Sequence, residues 1–287
     1  MKTTDPTMER LLSERNERGE IPLNPYSKWD GAHWVLTMLA EIDYPPGDMS
    51  LAPLRDRVYG WLLSDARCQA LSRRVDKQSP VRWCASIEGN AIWYSLKLGL
   101  ADNRIDALVE RLLAIQWPDG GWNCDVDGMG NTSSFHETIV PMRALALYAK
   151  VKGDARVRAS VERSAEVFLS RSLFRRRRDG GVIDHSFVKI HFPCYWHYDF
   201  LFGLKVMSEA GFLSDPRCAD ALDLLESKRL PDGGWPAEAK YYTSNGPGRS
   251  LVDWGPTGKT LRNEFVTADA LAVLHAAGRV GNGAPAL

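Results

Sequence analysis

Four of the chain's six histidines, His33, His136, His191 and His197, stand in short polar and aromatic clusters together with Asp30, Glu88, Glu137, Asp199 and Glu264. Imidazoles beside buried carboxylates can exchange protons at neutral pH, because desolvation and mutual attraction pull their proton affinities in opposing directions. His136 and His197 are the expected proton-transfer groups. Glu88, Asp199 and Glu264 are expected to orient them or act with them, and His33 and Asp30 complete the catalytic candidates. Matching the clusters on Thr138 and Thr267 leads us to expect comparable orientations for His136 and Glu264. His197 and Asp199 are two residues apart, so only one of that pair is expected to look inward.

Two further chemistries are open to the same clusters. His136, His191, His197 and Asp199 offer three imidazoles and a carboxylate, a donor set that suits zinc or iron with one open position, although no His-x-x-x-His pair supports it. Cys84, Cys124 and Cys194 lie in the same stretches as candidate nucleophiles, against the ordinary behaviour of a free cysteine as a small buried hydrophobe. Trp34, Trp83, Phe135, Tyr195, Trp196 and Tyr198, with Cys84 and Cys194, are expected to contact substrate. Aromatic faces stabilise cations as well as pack, so they imply an apolar or aromatic guest. A plainer role exists for Asp30, Ser133, Ser134 and Glu137, which could simply cap helices.

The clusters recur roughly every 50 to 70 residues, a period of one helical hairpin. Asp30, Cys84, Phe135, Trp196 and Glu264 mark them, and each leads into an apolar or small-residue helix. Between them falls Asp-Gly-Gly, at Asp119, Asp179 and Asp232, twice within Pro-Asp-Gly-Gly-Trp. Proline followed by glycines stops a helix, and the Trp can fold back over the helix end. Helices preceding these turns carry more Arg, Glu and Asp. Apolar helices inside and amphipathic helices outside predict an all-α fold, an α/α toroid of five to six helical hairpins whose inner helices all begin at one mouth. Residues 1–20 are expected to form a leading helix, 21–280 the single toroid domain and 281–287 a flexible tail.

Composition narrows the function. Lys+Arg and Asp+Glu both total 36, so the chain has no bulk charge for nucleic acid or a membrane surface. Five widely spaced cysteines without a Cys-x-x-Cys pair argue against a disulfide framework or zinc knuckle. Neither a Gly-x-Gly-x-x-Gly nor a phosphate-loop motif is present, so no nucleotide cofactor is expected. With no signal-like or membrane-length apolar run, the expected location is the cytoplasm. The Arg175 to Arg178 run is read as a solvated surface rather than a diphosphate site.

At Gln116-Trp117-Pro118-Asp119-Gly120-Gly121-Trp122 and Pro231-Asp232-Gly233-Gly234-Trp235 the chain resembles the squalene cyclase and prenyltransferase superfamily, over about residues 25 to 280. That resemblance implies the toroid and a terpene-cyclase-like chemistry on an isoprenoid or aromatic substrate. The Asp-x-Asp-Asp acid of the triterpene cyclases is missing, since Asp125-Val126-Asp127 runs into Gly128. Of the zinc ligands of protein prenyltransferases, only Cys194 has a counterpart: Phe192 stands in place of the Asp, and Val266 in place of the His. A single toroid lacking both signatures most resembles the small bacterial members of the superfamily. The first expectation is acid–base isomerisation, cyclisation or elimination of a hydrophobic small molecule. A non-catalytic binding or scaffold toroid, with polar groups all mutually satisfied, is the alternative. A carbohydrate-active α/α barrel with two facing carboxylates is another.

Overall fold

The structure is a computed structural model and describes residues 5–77, 79–125 and 130–280. Helices α1 (Pro6–Leu12), α2 (Ala32–Glu41), α3 (Ala52–Leu62), α4 (Asp65–Val75), α5 (Ala85–Lys97), α6 (Arg104–Ala114), α7 (Phe135–Lys152), α8 (Ala155–Leu169), α9 (Phe200–Ala210), α10 (Ala219–Ser227) and α11 (Glu264–Ala276) follow one another. No strand occurs among the described residues, where only isolated β-bridges join loop segments. The fold class is all-α, in keeping with an α/α toroid. No helix among the described residues is long and apolar enough to cross a membrane. The segment expected as a leading helix is helical over Pro6–Leu12, and the expected tail lies outside the described residues.

The chain divides into two compact units, the first Met1–Ser160 with Tyr242–Asp253, the second Val161–Tyr241 with Trp254–Leu287. In the first, α5 is buried without interruption from Ala85 to Ser95, and α2 from Ala32 to Ala40. By contrast α6 buries only Ile105, Leu108, Val109 and Leu112, the stripe expected of an amphipathic helix, and α4 buries nothing. The core of this unit is therefore made by α2, α5 and α7.

Helices α5 and α7 run parallel from a common end. The Ser86 N–H donates to Glu137 Oε2 at 2.9 Å, and three residues further along Gly89 meets Pro141. A Cβ on Gly89 would stand 2.8 Å from the Pro141 nitrogen, so the close approach requires glycine on one side, and the proline opposite presents no N–H to the contact. One turn later the Arg143 guanidinium lies 3.7 Å from the centre of the Trp93 ring and pairs with Glu41 at 2.7 Å.

The repeat turn is built alike in both units. Gly120 N donates to Trp117 O at 2.9 Å and Trp117 N to Gly121 O at 2.8 Å; in the second unit Gly233 N meets Leu230 O at 2.9 Å and Leu230 N meets Gly234 O at 2.8 Å. Each indole then folds back onto the helix that the turn ended, Trp122 Nε1 donating to Leu112 O at 3.0 Å and Trp235 Nε1 to Leu225 O at 2.7 Å. Each Trp N–H reaches a buried threonine hydroxyl in the next inner helix, Thr138 at 3.1 Å and Thr267 at 3.0 Å. The turn thus fastens an outer helix end to an inner helix start. The third copy, at Asp179-Gly180-Gly181, closes a turn one residue longer, Gly180 N meeting Arg176 O at 2.9 Å and Arg176 N meeting Gly181 O at 2.6 Å, lacks the indole and is exposed. There Arg175 pairs with Asp220, and Arg176 and Arg178 with Asp179, the solvated surface expected of this run.

Candidate functional site

In the first unit, inner helix starts bring together groups from four sequence regions. Glu137, buried in the first turn of α7, has one oxygen held by Ser86 N and the other 3.2 Å from the Cys124 sulfur, which donates to it. Desolvation raises its proton affinity above that of an ordinary carboxyl. Cys84 caps the start of α5, and the Cys124 thiol also donates toward it, which lowers the Cys84 pKa and raises that of Cys124. Burial raises the Tyr26 phenol pKa, and the acids Glu137, Cys84 and Cys124 add to the effect.

Beside them, Glu88 is wholly buried. Its Oε1 accepts from Trp83 Nε1 at 3.0 Å, from Arg67 at 3.1 Å and from Arg111 at 3.1 Å, while Oε2 has no hydrogen-bond partner. The Arg67 guanidinium lies 4.8 Å from the centre of the Trp61 ring and 4.7 Å from that of Trp83. His33 is buried with neither ring nitrogen bonded, and Asn90 Nδ2 and Tyr94 Oη are likewise without partners. Its imidazole packs against Tyr26, Trp34 and Tyr94, and burial, helped by the Arg67 charge, lowers its pKa to about 3.

The second unit collects a different set. Asp199 caps α9 through the Phe202 N–H at 2.9 Å, and its other oxygen lies 2.7 Å from the His191 N–H and 3.3 Å from His191 Nδ1. Cys194 donates to the same oxygen at 3.5 Å. Four rings then stack in order: His191 on Tyr241 at 4.2 Å, Tyr241 on His197 at 3.5 Å, His197 on Trp196 at 3.8 Å. The carboxylate expected to orient His197 is bonded instead to His191; His197 Nδ1 lies 3.1 Å from Cys194 O.

Other expectations land elsewhere. Matching on the threonines that bind the repeat Trp puts Glu137 level with Val266, His136 with Phe265 and Phe135 with Glu264, so His136 and Glu264 do not correspond. Glu264 is the first residue of α11, exposed and paired with Arg262 at 2.8 Å; an acid outside the core cannot serve the inward role expected of it. Asp30 is half-buried, accepting from Ser27 at 2.8 Å with Arg249 at 3.9 Å. His136 is half-buried on α7, and Phe135 is buried beside it. The Tyr198 hydroxyl donates to Leu173 O at 2.7 Å, a structural use of a residue expected to contact substrate. Trp34 donates to Tyr26 O at 3.3 Å, and Tyr195 is buried. Of the Asp125-Val126-Asp127 stretch, only Asp125 lies within the described residues. Reading helix starts alone passed over Arg67, Arg111 and Tyr26 in the first unit and Tyr241 in the second.

No family model matches the chain, and no curated protein matches it. Among solved structures it is similar to a type II terpene cyclase from Scytonema in complex with geranylgeranyl dihydroxybenzoate, at 15% identity over 96% of each chain with a TM-score of 0.28.

Proposed function

We propose that the chain is a terpene-cyclase-like enzyme that moves a proton on a hydrophobic, isoprenoid or aromatic, small molecule, giving isomerisation, cyclisation or elimination. A single α/α toroid over residues 21–280 with a central cavity is part of this proposal. The observation that supports it best is the Asp199–His191 pair. A carboxylate bonded to the backbone N–H of His191 and facing its Nδ1 fixes the orientation of the ring, as a histidine acting as general base or acid requires. Trp196, the end ring of the stack, with Phe192, Trp254 and Phe265 packed edge and face in the same unit, gives an aromatic surrounding suited to a developing cation.

The scaffold alternative requires polar groups that satisfy one another. His33, Asn90 Nδ2, Tyr94 Oη and Glu88 Oε2 are buried without partners, and a merely structural core has no reason to carry that cost. The test incubates the protein with a panel of isoprenoid diphosphates and isoprenoid-substituted phenols and follows products by mass spectrometry. His191→Ala and Asp199→Asn are expected to lower turnover about a hundredfold or more, with the helical circular dichroism intact. His197→Ala is expected to weaken it as well. Full turnover in His191→Ala and Asp199→Asn rejects the reading.

A further inference from the structure

The acid cluster of the first unit is not used by the His191–Asp199 reading and stands independently of it. Cys84, Cys124 and Glu137 each present one donor atom, and all three atoms lie within 4.8 Å of one another. Around a tetrahedral zinc, with bonds of about 2.3 Å to sulfur and about 2.1 Å to oxygen, neighbouring donors stand about 3.5 Å apart. The Cys124 to Glu137 separation of 3.2 Å is already at that edge length. Glu137 is aimed as well as near, since the Ser86 N–H takes Oε2 and turns Oε1 toward the sulfurs. Cys84 is exposed, so a fourth position beside it is open to solvent.

Three acids gathered this closely repel one another once ionised, and Arg67 is the cation that acts on both Tyr26 and Cys84 there. A divalent cation removes the repulsion: two thiols lose their protons to solvent, two metal–sulfur bonds form, and the carboxylate supplies the third. Two thiolates and a carboxylate favour zinc over magnesium or calcium, which take oxygen donors. We propose that Cys84, Cys124 and Glu137 form a three-ligand zinc site with one open position, occupied by water or by an oxygen or sulfur of a ligand. It shares no residue with the His136, His191, His197 and Asp199 set considered from sequence.

Metal content of the full chain, purified without chelator from zinc-supplemented growth, is the first measurement; the second is titration with zinc and with cobalt. One zinc per chain is expected, together with thiolate-to-cobalt charge-transfer and tetrahedral d–d bands. Cys84→Ser, Cys124→Ser and Glu137→Gln should each weaken zinc binding by about tenfold or more, while Cys68→Ser and Cys218→Ala leave it unchanged. Should a ligand variant fail to fold, the wild-type chain still decides. Zinc is expected to protect Cys84 from iodoacetamide without protecting Cys68. Unprotected alkylation, metal-free protein that takes up no zinc, or an intact mass lower by two hydrogens with Cys84 and Cys124 crosslinked would overturn the proposal.

Discussion

The turn closed by Trp122 and the turn closed by Trp235 share their hydrogen bonds, their buried indole and their threonine latch, yet lead into helices of opposite chemistry. One residue before the latch, α7 carries the buried carboxylate Glu137, and α11 carries Val266. Two before it stand His136 and Phe265, and three before it Phe135 and the exposed Glu264. The turn is therefore scaffold, setting where an inner helix begins and how it is rotated. What the helix can do is decided by the two residues ahead of the threonine, which the turn leaves free to vary.

The strongest way to break that comparison is to remove the indoles. Trp122→Ala and Trp235→Ala each delete a fully buried ring and its hydrogen bond to a helix end, and each should cost about 3–5 kcal/mol in chemical denaturation, typical of large-to-small changes at buried aromatics. Similar losses support equivalence of the two turns. A loss near zero at either site means that the turn is not what fastens the helices there.

Buried bases offer a sharper contrast between the units. His191 has a carboxylate, whereas His33 has no hydrogen-bonding partner and is held at a pKa of about 3 by burial, with Arg67 adding to the effect. Between that value and the ordinary 6.5, the unfolded chain binds a proton at this position and the folded chain does not. Stability supported by neutral His33 is thus complete above pH 6.5 and declines as pH falls toward 3. From pH 7 to pH 5 the loss from this group is about 2 kcal/mol. His33→Phe should flatten the acid limb of the stability curve by that amount, whatever its effect at pH 7. An unchanged slope in denaturant midpoints against pH means that the imidazole takes up its proton in the folded chain as it does in the unfolded one.

How much of this could be read from the chain depends on which interaction places the residue. The Pro-Asp-Gly-Gly-Trp phrase made the helix stops legible, because proline, glycine and Trp act locally. The apolar run after Trp83-Cys84 likewise announced α5, and the polar starts directed attention to Glu88 and Glu137. At α11 Glu264 was matched to His136 although it stands three residues before Thr267 and His136 two before Thr138; what the sequence does not show is that these threonines receive the Trp N–H and so fix the register to the residue. Arg67 and Arg111 look like any arginine on an amphipathic helix, and only packing turns them onto Glu88. Tyr241 lies outside any helix, so no periodicity could place it between two imidazoles.

The two glycines that precede the indoles probe the turns more gently. A Cβ on Gly121 would overlap the Thr138 hydroxyl that receives the Trp122 N–H, which cannot withdraw without breaking the latch, as well as the Ser133 Cβ. At Gly234 the Cβ would meet the Arg262 side chain at 2.7 Å, a flexible stem that can swing aside. Gly121→Ala should therefore cost about 1–3 kcal/mol and Gly234→Ala clearly less, the usual difference between overpacking a rigid and a yielding neighbour. Equal costs would show that the second turn is as tightly latched as the first.

The smallest effect belongs to Glu264, and it tests the corrected register directly. Its ion pair with Arg262 is solvent-exposed at the glutamate, 69% on the side chain, and such pairs contribute little once both partners can be hydrated. Glu264→Gln should shift stability by no more than about 0.5 kcal/mol and leave turnover of any substrate found for the chain unchanged. Val266→Glu is its counterpart, placing a carboxylate at the position equivalent to Glu137 but with no cysteine pair described beside it. That change should destabilise the chain far more than Glu264→Gln does, because an acid buried without partners loses its hydration and gains nothing in exchange. If instead Glu264→Gln removes turnover while Val266→Glu is tolerated, the rotation of α11 set by Thr267 is wrong, and Glu264 rather than Val266 is the residue that matches Glu137.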